Sequence, residues 1–353
     1  MSRIMIAAFA ALTVSMTVLA GAPSAAALEI TAMQVQPRLD LRATRGGHMG
    51  DSIGIKQAEI NLVAWISHDG SELVNLNLQH NFETPMTGRA EKMHFSNLYA
   101  VFNLGVGEPA VKVGQFVVPF GTLAEFDTHE VPLQTPYART LGIRIDRGIA
   151  LEGRDGEWDW STSLTTGDGR ERHDGGWAGV ARVARDYEMG HDIVRVGVSG
   201  LVGRNMPVFP TNPMDIPMGL DDEVEHVDKW RVALDLDWLR GIDNIRAEFV
   251  FGGDDGEFVD GQWLYYEHPF SYDSEIVFQG DRWNQPDGTS YGVGVQYHHR
   301  LDDWSGIRVA AERRWADLDR MSAMSEMGHG AHSTRDDLFT VQYYRDWAWV
   351  PEF

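Results

Sequence analysis

Cysteine is absent from the 353 residues of the sequence. A chain without thiols has no disulfide scaffold, no thiol chemistry, no Cys-ligated zinc and no covalently attached c-type haem. Lysine is scarce as well, and its four instances are Lys56, Lys92, Lys112 and Lys229. A chain of this composition must be stabilised by means other than disulfides.

Long apolar runs are absent after the N-terminus. Residues 4–20 form an apolar run that follows a positive charge at Arg3 and precedes small residues and an A-x-A site at 25–27, the three-part pattern of a secretory signal peptide. We predict a signal peptide over 1–27 and a mature domain over 28–353. No later segment approaches the ~20 consecutive apolar residues of a spanning helix, although 43% of the residues are hydrophobic. The exported chain is therefore either soluble or a β-barrel.

A basic surface is also missing, and the sequence gives little sign of catalysis. The net charge is −22, with 52 acidic and 30 basic residues, which argues against a nucleic-acid partner because phosphate binding needs a basic face. H-E-x-x-H does not occur, and the two G-x-S-x-G matches, at 50–54 and 288–292, run into segments of alternating polarity, so the sequence predicts no enzyme of those classes and no cofactor. Acidic loops fit a cell surface.

What the sequence does contain is period-two alternation from residue 28 to the end. In the segment 35–43, Val35, Leu39 and Leu41 fall on one face and Arg38, Asp40 and Arg42 on the other. The pattern recurs over 56–66, 74–79, 232–238 and 291–298 without a linker between two compositions. This predicts a single all-β domain.

Aromatic residues and turn lengths favour a membrane barrel over a soluble sandwich. Trp, Tyr and Phe lie near many strand ends, as in the aromatic girdles of transmembrane barrels. Short turn signals, as at 67–71 and 154–157, alternate with long stretches near 121–144, 203–228 and 316–335. We predict a transmembrane antiparallel β-barrel of about 16 strands, with 14 possible because the 256–270 region is the least clear.

One stretch carries a family resemblance. Val111-Lys-Val-Gly-Gln-Phe-Val-Val-Pro-Phe-Gly121 resembles the "VGQFKVPFG" strand of phosphate-selective porins of the O/P type. The segments beginning at Val35 and Ile55 are similar to that family's opening strands, and the one beginning at Asp146 to its "R-D-x-G-V-x-L-x-G" strand. The resemblance covers roughly residues 32–170 and implies a porin barrel, with a homotrimer as one allowed assembly.

The sequence departs from that family where selectivity is set. Val117 stands at the place of the motif's lysine, and anion-selective members present lysines to the lumen. Because charge is focused strongly in a confined pore, their loss weakens a phosphate preference. We therefore do not carry phosphate specificity over, and the acid excess leads us to expect a mild cation preference.

Two groups of residues are candidates for the pore lining and constriction. The first is the long connection after Gly121, which is either an in-folded constriction loop or an outward surface loop whose acids bind divalent cations shared with lipopolysaccharide. Its candidate charges are Glu125, Asp127, His129, Glu130 and Arg139. The second group faces inward by strand parity and consists of Arg38, Asp40, Arg42, Glu59, Asp235, Asp237, Arg246 and Glu248. These residues either set up a field across the lumen or form cross-strand ion pairs that stiffen the wall.

The sequence thus predicts a porin of the Gram-negative outer membrane that passes small hydrophilic solutes or ions. Its expected partners are membrane lipid, lipopolysaccharide and the barrel-assembly machinery, since the terminal Phe353 resembles the signal that this machinery reads. One alternative is a copper-handling barrel, because thioethers and imidazoles suit copper. Its weak candidate ligands are Met321, Met324, Met327, His329 and His332. A second alternative is a barrel that acts as a scaffold for a partner protein.

Overall fold

The structure is a computed structural model that describes residues 29–46, 51–68, 71–83, 92–105, 107–123, 131–133, 140–169, 175–208, 225–318 and 335–350. At 29, 57, 68, 71–83 and 92–96 it describes the backbone alone. The described residues contain no helix with the length and apolarity that a membrane crossing requires.

Sixteen β-strands are formed by these residues. They are β1 (Glu29–Gly46), β2 (Ser52–His68), β3 (Ser71–Glu83), β4 (Lys92–Asn103), β5 (Ala110–Val117), β6 (Ile145–Asp155), β7 (Trp158–Thr165), β8 (Trp177–Met189), β9 (Asp192–Val208), β10 (Glu225–Arg240), β11 (Asp243–Asp254), β12 (Glu257–Ser271), β13 (Ser274–Gln285), β14 (Gly288–Asp302), β15 (Ser305–Leu318) and β16 (Arg335–Asp346). The region that was least clear from the sequence is strand β12.

Each strand pairs antiparallel with its sequence neighbours, and β1 pairs with β16 to close the barrel. The closing register runs from Arg38 opposite Asp346 to Gly46 opposite Leu338. Closure leaves no edge strand, so the backbone hydrogen bonds of the wall are made between strands. The predicted antiparallel barrel of 16 strands is confirmed.

The two ends of the barrel differ in the length of their connections. At the short-turn end, consecutive strands are joined by two residues, or by six at 104–109. At the opposite, long-loop end lie the connections 84–91, 118–144, 166–176, 209–224 and 319–334, together with shorter ones. The difference predicted from turn signals is therefore present, and 118–144 is the longest connection.

Strand β10 shows why the two faces of the wall differ. Its outward positions are Trp230, Val232, Leu234, Leu236 and Trp238, so an aromatic residue stands at each end of an apolar stripe. Trp230 and Leu234 are 43% and 48% exposed, whereas the alternate residues Arg231, Ala233 and Asp235 are at most 3% exposed. Apolar side chains on the outside and polar ones inside are the distribution of a transmembrane barrel.

Leu234→Arg tests this assignment of the faces. Leu234 lies near the middle of β10, and an arginine facing lipid at the bilayer midplane costs about 2–4 kcal/mol of folding stability. We expect that loss in denaturant titrations of the protein folded into lipid vesicles.

Ile242→Arg is the matched control for this variant. Ile242 is 63% exposed but lies in the turn between β10 and β11, so its substitution should change stability by less than about 0.5 kcal/mol. Equal losses for the two variants would contradict a lipid-facing position for Leu234.

Candidate functional site

The described parts of the connection 118–144 fold into the barrel rather than away from it. They are residues 118–123, 131–133 and 140–144. Phe120, Leu123, Leu133 and Leu141 are each at most 2% exposed and pack against side chains of the inner wall. Of the two alternatives left open by the sequence, these parts of the connection follow the in-folded one.

The base of this loop covers an apolar patch on the inner wall. From the loop, Val118, Phe120, Leu141 and Ile143 contribute to the cluster. From the wall come Ala178, Val180, Leu201, Met206, Ala233, Val250, Val259 and Trp283, on strands β8 to β13. Water would otherwise contact these inward-facing side chains, so their burial stabilises the folded-in position of the loop.

The outgoing limb of the loop is bonded to β9 and β11. The amide of Gly121 donates to Ser199 Oγ at 2.9 Å, and the amides of Thr122 and Leu123 both donate to Glu248 Oε2 at 2.8 Å. Gly121 has φ +58° and lies so close to the Glu248 carboxylate that a Cβ there would collide with it. Hydrogen bonds to a carboxylate are stronger than neutral ones, so Glu248 acts as a latch for this limb.

The returning limb is held by two cations of β10. Arg231 Nε donates to the carbonyl of Thr140 at 2.7 Å, and Lys229 Nζ donates to the carbonyl of Leu141 at 3.0 Å. Arg231 also forms an ion pair with Asp254 at 2.7 Å. Because both cations are nearly fully buried, their charges stabilise the loop backbone and do not line an open pathway.

The tip side of the loop reaches the opposite wall. Leu123 and Leu133 pack in a second cluster of buried side chains. Its wall members are Trp263, Tyr265, Val277 and Ala310, on β12, β13 and β15. Since the loop leaves from β5, and β13 is eight strands away in a barrel of sixteen, the described part of the loop reaches across the lumen.

A cavity of about 560 Å³ lies beside the loop base on the β4–β9 side. It extends to the short-turn end, where Glu108 of the 104–109 turn and Arg154 line it. Its basic side chains are Lys112, Arg154, Arg182 and Arg195, and its acidic ones are Glu108, Glu152 and Asp159. Four bases therefore face three acids, so the acid excess of the whole chain is not repeated in this cavity.

The cavity wall continues into a belt of alternating charges across β6 to β11. Arg195 lies 2.6 Å from Asp159 and 3.7 Å from Asp186, and Arg154 lies 3.2 Å from Asp186. Arg246 and Asp237 extend the belt with a separation of 3.2 Å. Since each charge has an opposite neighbour, the belt presents local dipoles to the lumen and no ring of one sign.

Comparison with known proteins gives structural similarity without sequence similarity. No family model matches the sequence, and the search of curated proteins finds no match. Among solved structures, a loop-L8 deletion mutant of OmpT, an outer membrane protein of Vibrio cholerae, superposes with a TM-score of 0.61 at 10% identity, over 89% of this chain and 99% of that chain. An anion-selective porin from Comamonas acidovorans gives 0.59 at 11% identity, over 91% and 100%. The outer membrane channel DcaP of Acinetobacter baumannii gives 0.59 at 12% identity, over 93% and 99%.

The fold is that of outer-membrane porins. At these sequence identities the similarity shows the fold alone. It does not single out phosphate-selective porins among outer-membrane porins. Membership of the phosphate-selective porin family, which the sequence resemblance over roughly 32–170 implies, therefore stays a prediction.

The strand residues that parity predicted to face inward do lie on the inner face, and most have an opposite charge as partner. Asp40 is fully buried and lies 2.7 Å from Arg42. Arg38 contacts Asp346 at 3.4 Å and stands opposite Glu59 in the strand register. Their role in permeation stays a prediction, but the pairing agrees with ion pairs that stiffen the wall.

The remaining strand candidates, Asp235 and Glu248, lie in different surroundings. Asp235 forms an ion pair with Arg182 at 2.6 Å. This pair spans β9 where Gly197 leaves the space for the carboxylate. Glu248 is 2% exposed and accepts hydrogen bonds from the loop amides, so it positions the loop.

Several predicted residues lie outside the described part of the chain. These are Glu125, Asp127, His129, Glu130 and Arg139 of the loop, and Met321, Met324, Met327, His329 and His332 of the 319–334 connection. Within the residues that are described, no group of three or more His, Asp or Glu side chains is arranged to hold a metal ion.

Sequence reasoning missed the anchors Lys229, Arg231 and Ser199. A signal for them exists in the strand pattern, because 232–234 and 249–251 are apolar on both faces. In a membrane barrel an apolar inner face needs a cover, so such runs indicate where a loop packs inside. Arg231 and Glu248 each border one of these runs.

Glu248→Ala tests the latch on the outgoing limb. The variant removes two hydrogen bonds to a charged acceptor, each worth about 1.5–3 kcal/mol. We expect amide hydrogen exchange at Thr122 and Leu123 to accelerate by at least about tenfold, as measured by mass spectrometry on the folded barrel.

Glu152→Ala is the control for this experiment. Glu152 also lies on the inner wall and pairs with Lys112, but it makes no hydrogen bond to residues 121–123. Exchange at Thr122 and Leu123 should stay within about twofold of the unaltered protein. Equal acceleration in both variants would show that the wall, and not Glu248, protects the loop.

Proposed function

We propose that this chain is a passive porin of the Gram-negative outer membrane, through which small hydrophilic solutes or ions diffuse in a water-filled lumen. The observation that carries the proposal is the charged cavity beside the in-folded loop, enclosed by a wall that is apolar on its outside. Water and solutes are stabilised by such a lining, whereas lipid contacts the outer face. No enzymatic role and no cofactor is part of the proposal.

The orientation follows from the two kinds of connection. In outer-membrane barrels, short turns face the periplasm and long loops face the outside, so the short-turn end with Glu108 and Arg154 is the periplasmic mouth. We place the barrel among outer-membrane lipid and lipopolysaccharide after delivery by the barrel-assembly machinery. We include a homotrimer as the assembly in this proposal, and it is supported by the trimer form of the Vibrio cholerae OmpT, whose fold is similar.

The side chains that line the cavity support a porin with weak charge selectivity. The expected cation preference came from the acid excess of the whole chain, but four bases face three acids in the cavity. Lys229 is buried against the carbonyl of Leu141, and Lys112 is the lysine found among the described residues that line the cavity. A phosphate site built from several lysines is therefore not part of the proposal.

A copper-handling barrel and a scaffold for a partner protein remain alternatives in principle. The Met and His residues of the copper alternative lie outside the described residues. No observation on the described part of the chain favours either role over permeation.

Single-channel recording tests the proposal. We expect stable ohmic steps from the folded protein in planar bilayers, and no block by millimolar phosphate. Phosphate block would restore the specificity of the phosphate-selective family. Absence of conductance from barrels that migrate as folded on unheated gels would contradict the porin function.

Lys112→Gln tests whether solutes pass through the cavity. A charge about 8 Å from the ion path acts through water with about 0.5 kcal/mol, roughly a twofold change in ion occupancy. Cation occupancy should rise and anion occupancy should fall by about that factor, so we expect the cation-to-anion permeability ratio, obtained from reversal potentials under a salt gradient, to rise about fourfold. Arg185→Gln is the control, because Arg185 lies on the outer face over the ring of Trp158 and should leave the ratio unchanged.

A further inference from the structure

Two opposite charges stand next to each other on the inner face of strand β6 without pairing. Glu152 and Arg154 both line the cavity, and because they are two residues apart on one strand, their Cα atoms are separated by about 6.5–7 Å. Their side chains are 35% and 60% exposed. Each forms ion pairs with residues of other strands and not with its neighbour on β6. An acidic and a basic group therefore face the same water-filled space side by side.

The partners of these two residues hold the charged groups apart. Lys112 of β5 forms an ion pair with Glu152. Arg154 contacts Asp159 of β7 at 3.6 Å and Asp186 of β8 at 3.2 Å. Since β5 and β7 flank β6 on opposite sides, the carboxylate of Glu152 is drawn toward one side of the strand and the guanidinium of Arg154 toward the other. A gap is left between them.

Small side chains stand beside this gap. In the strand register, Ala110 of β5 and Ser161 of β7 lie on the two sides of Glu152, and both line the cavity. Neither side chain is long enough to reach across the gap, and the hydroxyl of Ser161 can donate or accept a hydrogen bond. A small polar solute can therefore contact Glu152 and Arg154 at the same time.

A solute that carries one positive and one negative group fits this arrangement better than an ion of either sign. Its ammonium group bonds to Glu152 and its carboxylate to Arg154, each by a charge-assisted hydrogen bond of about 2.7–2.9 Å. A simple cation is attracted by Glu152 but repelled by Arg154, and a simple anion meets the reverse, so the two contributions oppose each other. Because the preference arises from two adjacent contacts, it does not depend on the net charge of the lumen.

We propose that Glu152 and Arg154 form a binding site for zwitterionic α-amino acids, with the ammonium group on Glu152 and the carboxylate on Arg154. Lys112 and Asp159 are positioning residues that keep the two side chains apart. The inference rests on the proposed porin function and deepens it, since it names the solute class of the same cavity. Binding is weak, because a permeating solute has to leave the site again.

Saturation-transfer NMR on the folded protein in detergent tests this site with three-carbon probes at neutral pH. Serine is the zwitterion, serinol the cation, glycerate the anion and glycerol the neutral compound. Since only serine makes both charge-assisted contacts, we expect it to bind at least about fivefold more tightly than each of the other probes. Aminohexanoate, a zwitterion whose charges lie far apart, should bind no more tightly than glycerate.

The variants E152Q and R154Q should each remove one part of this preference. In E152Q the ammonium group loses its partner, so the preference for serine over glycerate should fall below about twofold, while the preference over serinol persists. In R154Q the carboxylate loses its partner, so the preference over serinol should fall and the preference over glycerate should persist. A folding defect would instead weaken the binding of all probes together.

E157Q and R185Q are the matched controls, because Glu157 and Arg185 form an ion pair of 2.8 Å and do not line the cavity. Both preferences should stay within about twofold of those of the unaltered protein. Equal binding of the three-carbon probes, or the loss of both preferences together in E152Q and in R154Q, would overturn the proposal.

Conductance in potassium chloride is recorded separately from binding. Conducting channels without a preference for serine would refute this site and leave the porin function intact. Serine binding that follows the expected pattern in channels without conductance would support the site and contradict the porin function.

Discussion

Backbone hydrogen bonds constrain this structure more than any other interaction, because amides and carbonyls that face lipid find no water to bond. The pairing of β1 with β16 satisfies the last of them by removing both edge strands. Once the sheet is closed, strict alternation follows: every second side chain meets lipid and the others face the lumen. Charged residues are then concentrated inside, where pairs such as Asp235 with Arg182 lower the cost of holding them near a low-dielectric wall.

The lumen departs from this scheme at its apolar patch. Ala233 and Val250 face inward yet are buried, because the base of the 118–144 loop covers them. An in-folded loop loses the hydration of its backbone, and that loss is offset where Glu248 accepts two of its amides and where Arg231 and Lys229 donate to its carbonyls. The apolar patch and the charged latches therefore act together, since either alone would leave groups of the loop unsatisfied.

Much of the fold could be predicted from the sequence, because period-two alternation and turn residues are local signals. Sixteen strands, the difference between the two ends and the inward direction of residues such as Asp40 and Asp237 all follow from them. The path of the long loop could not be predicted, since it depends on contacts between residues more than a hundred positions apart, as between Leu123 and Glu248. For the same reason the sequence placed Glu248 among the pore-lining charges, while the structure shows its carboxylate bonded to the loop.

Because the loop reaches across the lumen, the number of strands sets the diameter of the barrel but not the width of the free passage inside it. Strand number sets the diameter of the frame, but the free passage is what remains beside a chain that reaches from β5 to Leu133 on the opposite wall. The width of that passage therefore depends on the latches of β9, β10 and β11 more than on the frame. Ser199 and Arg231 lie away from the cavity lining, so under the proposed function their substitution would act on permeation through the position of the loop. Residues that line the cavity, such as Lys112, would act instead through their charge.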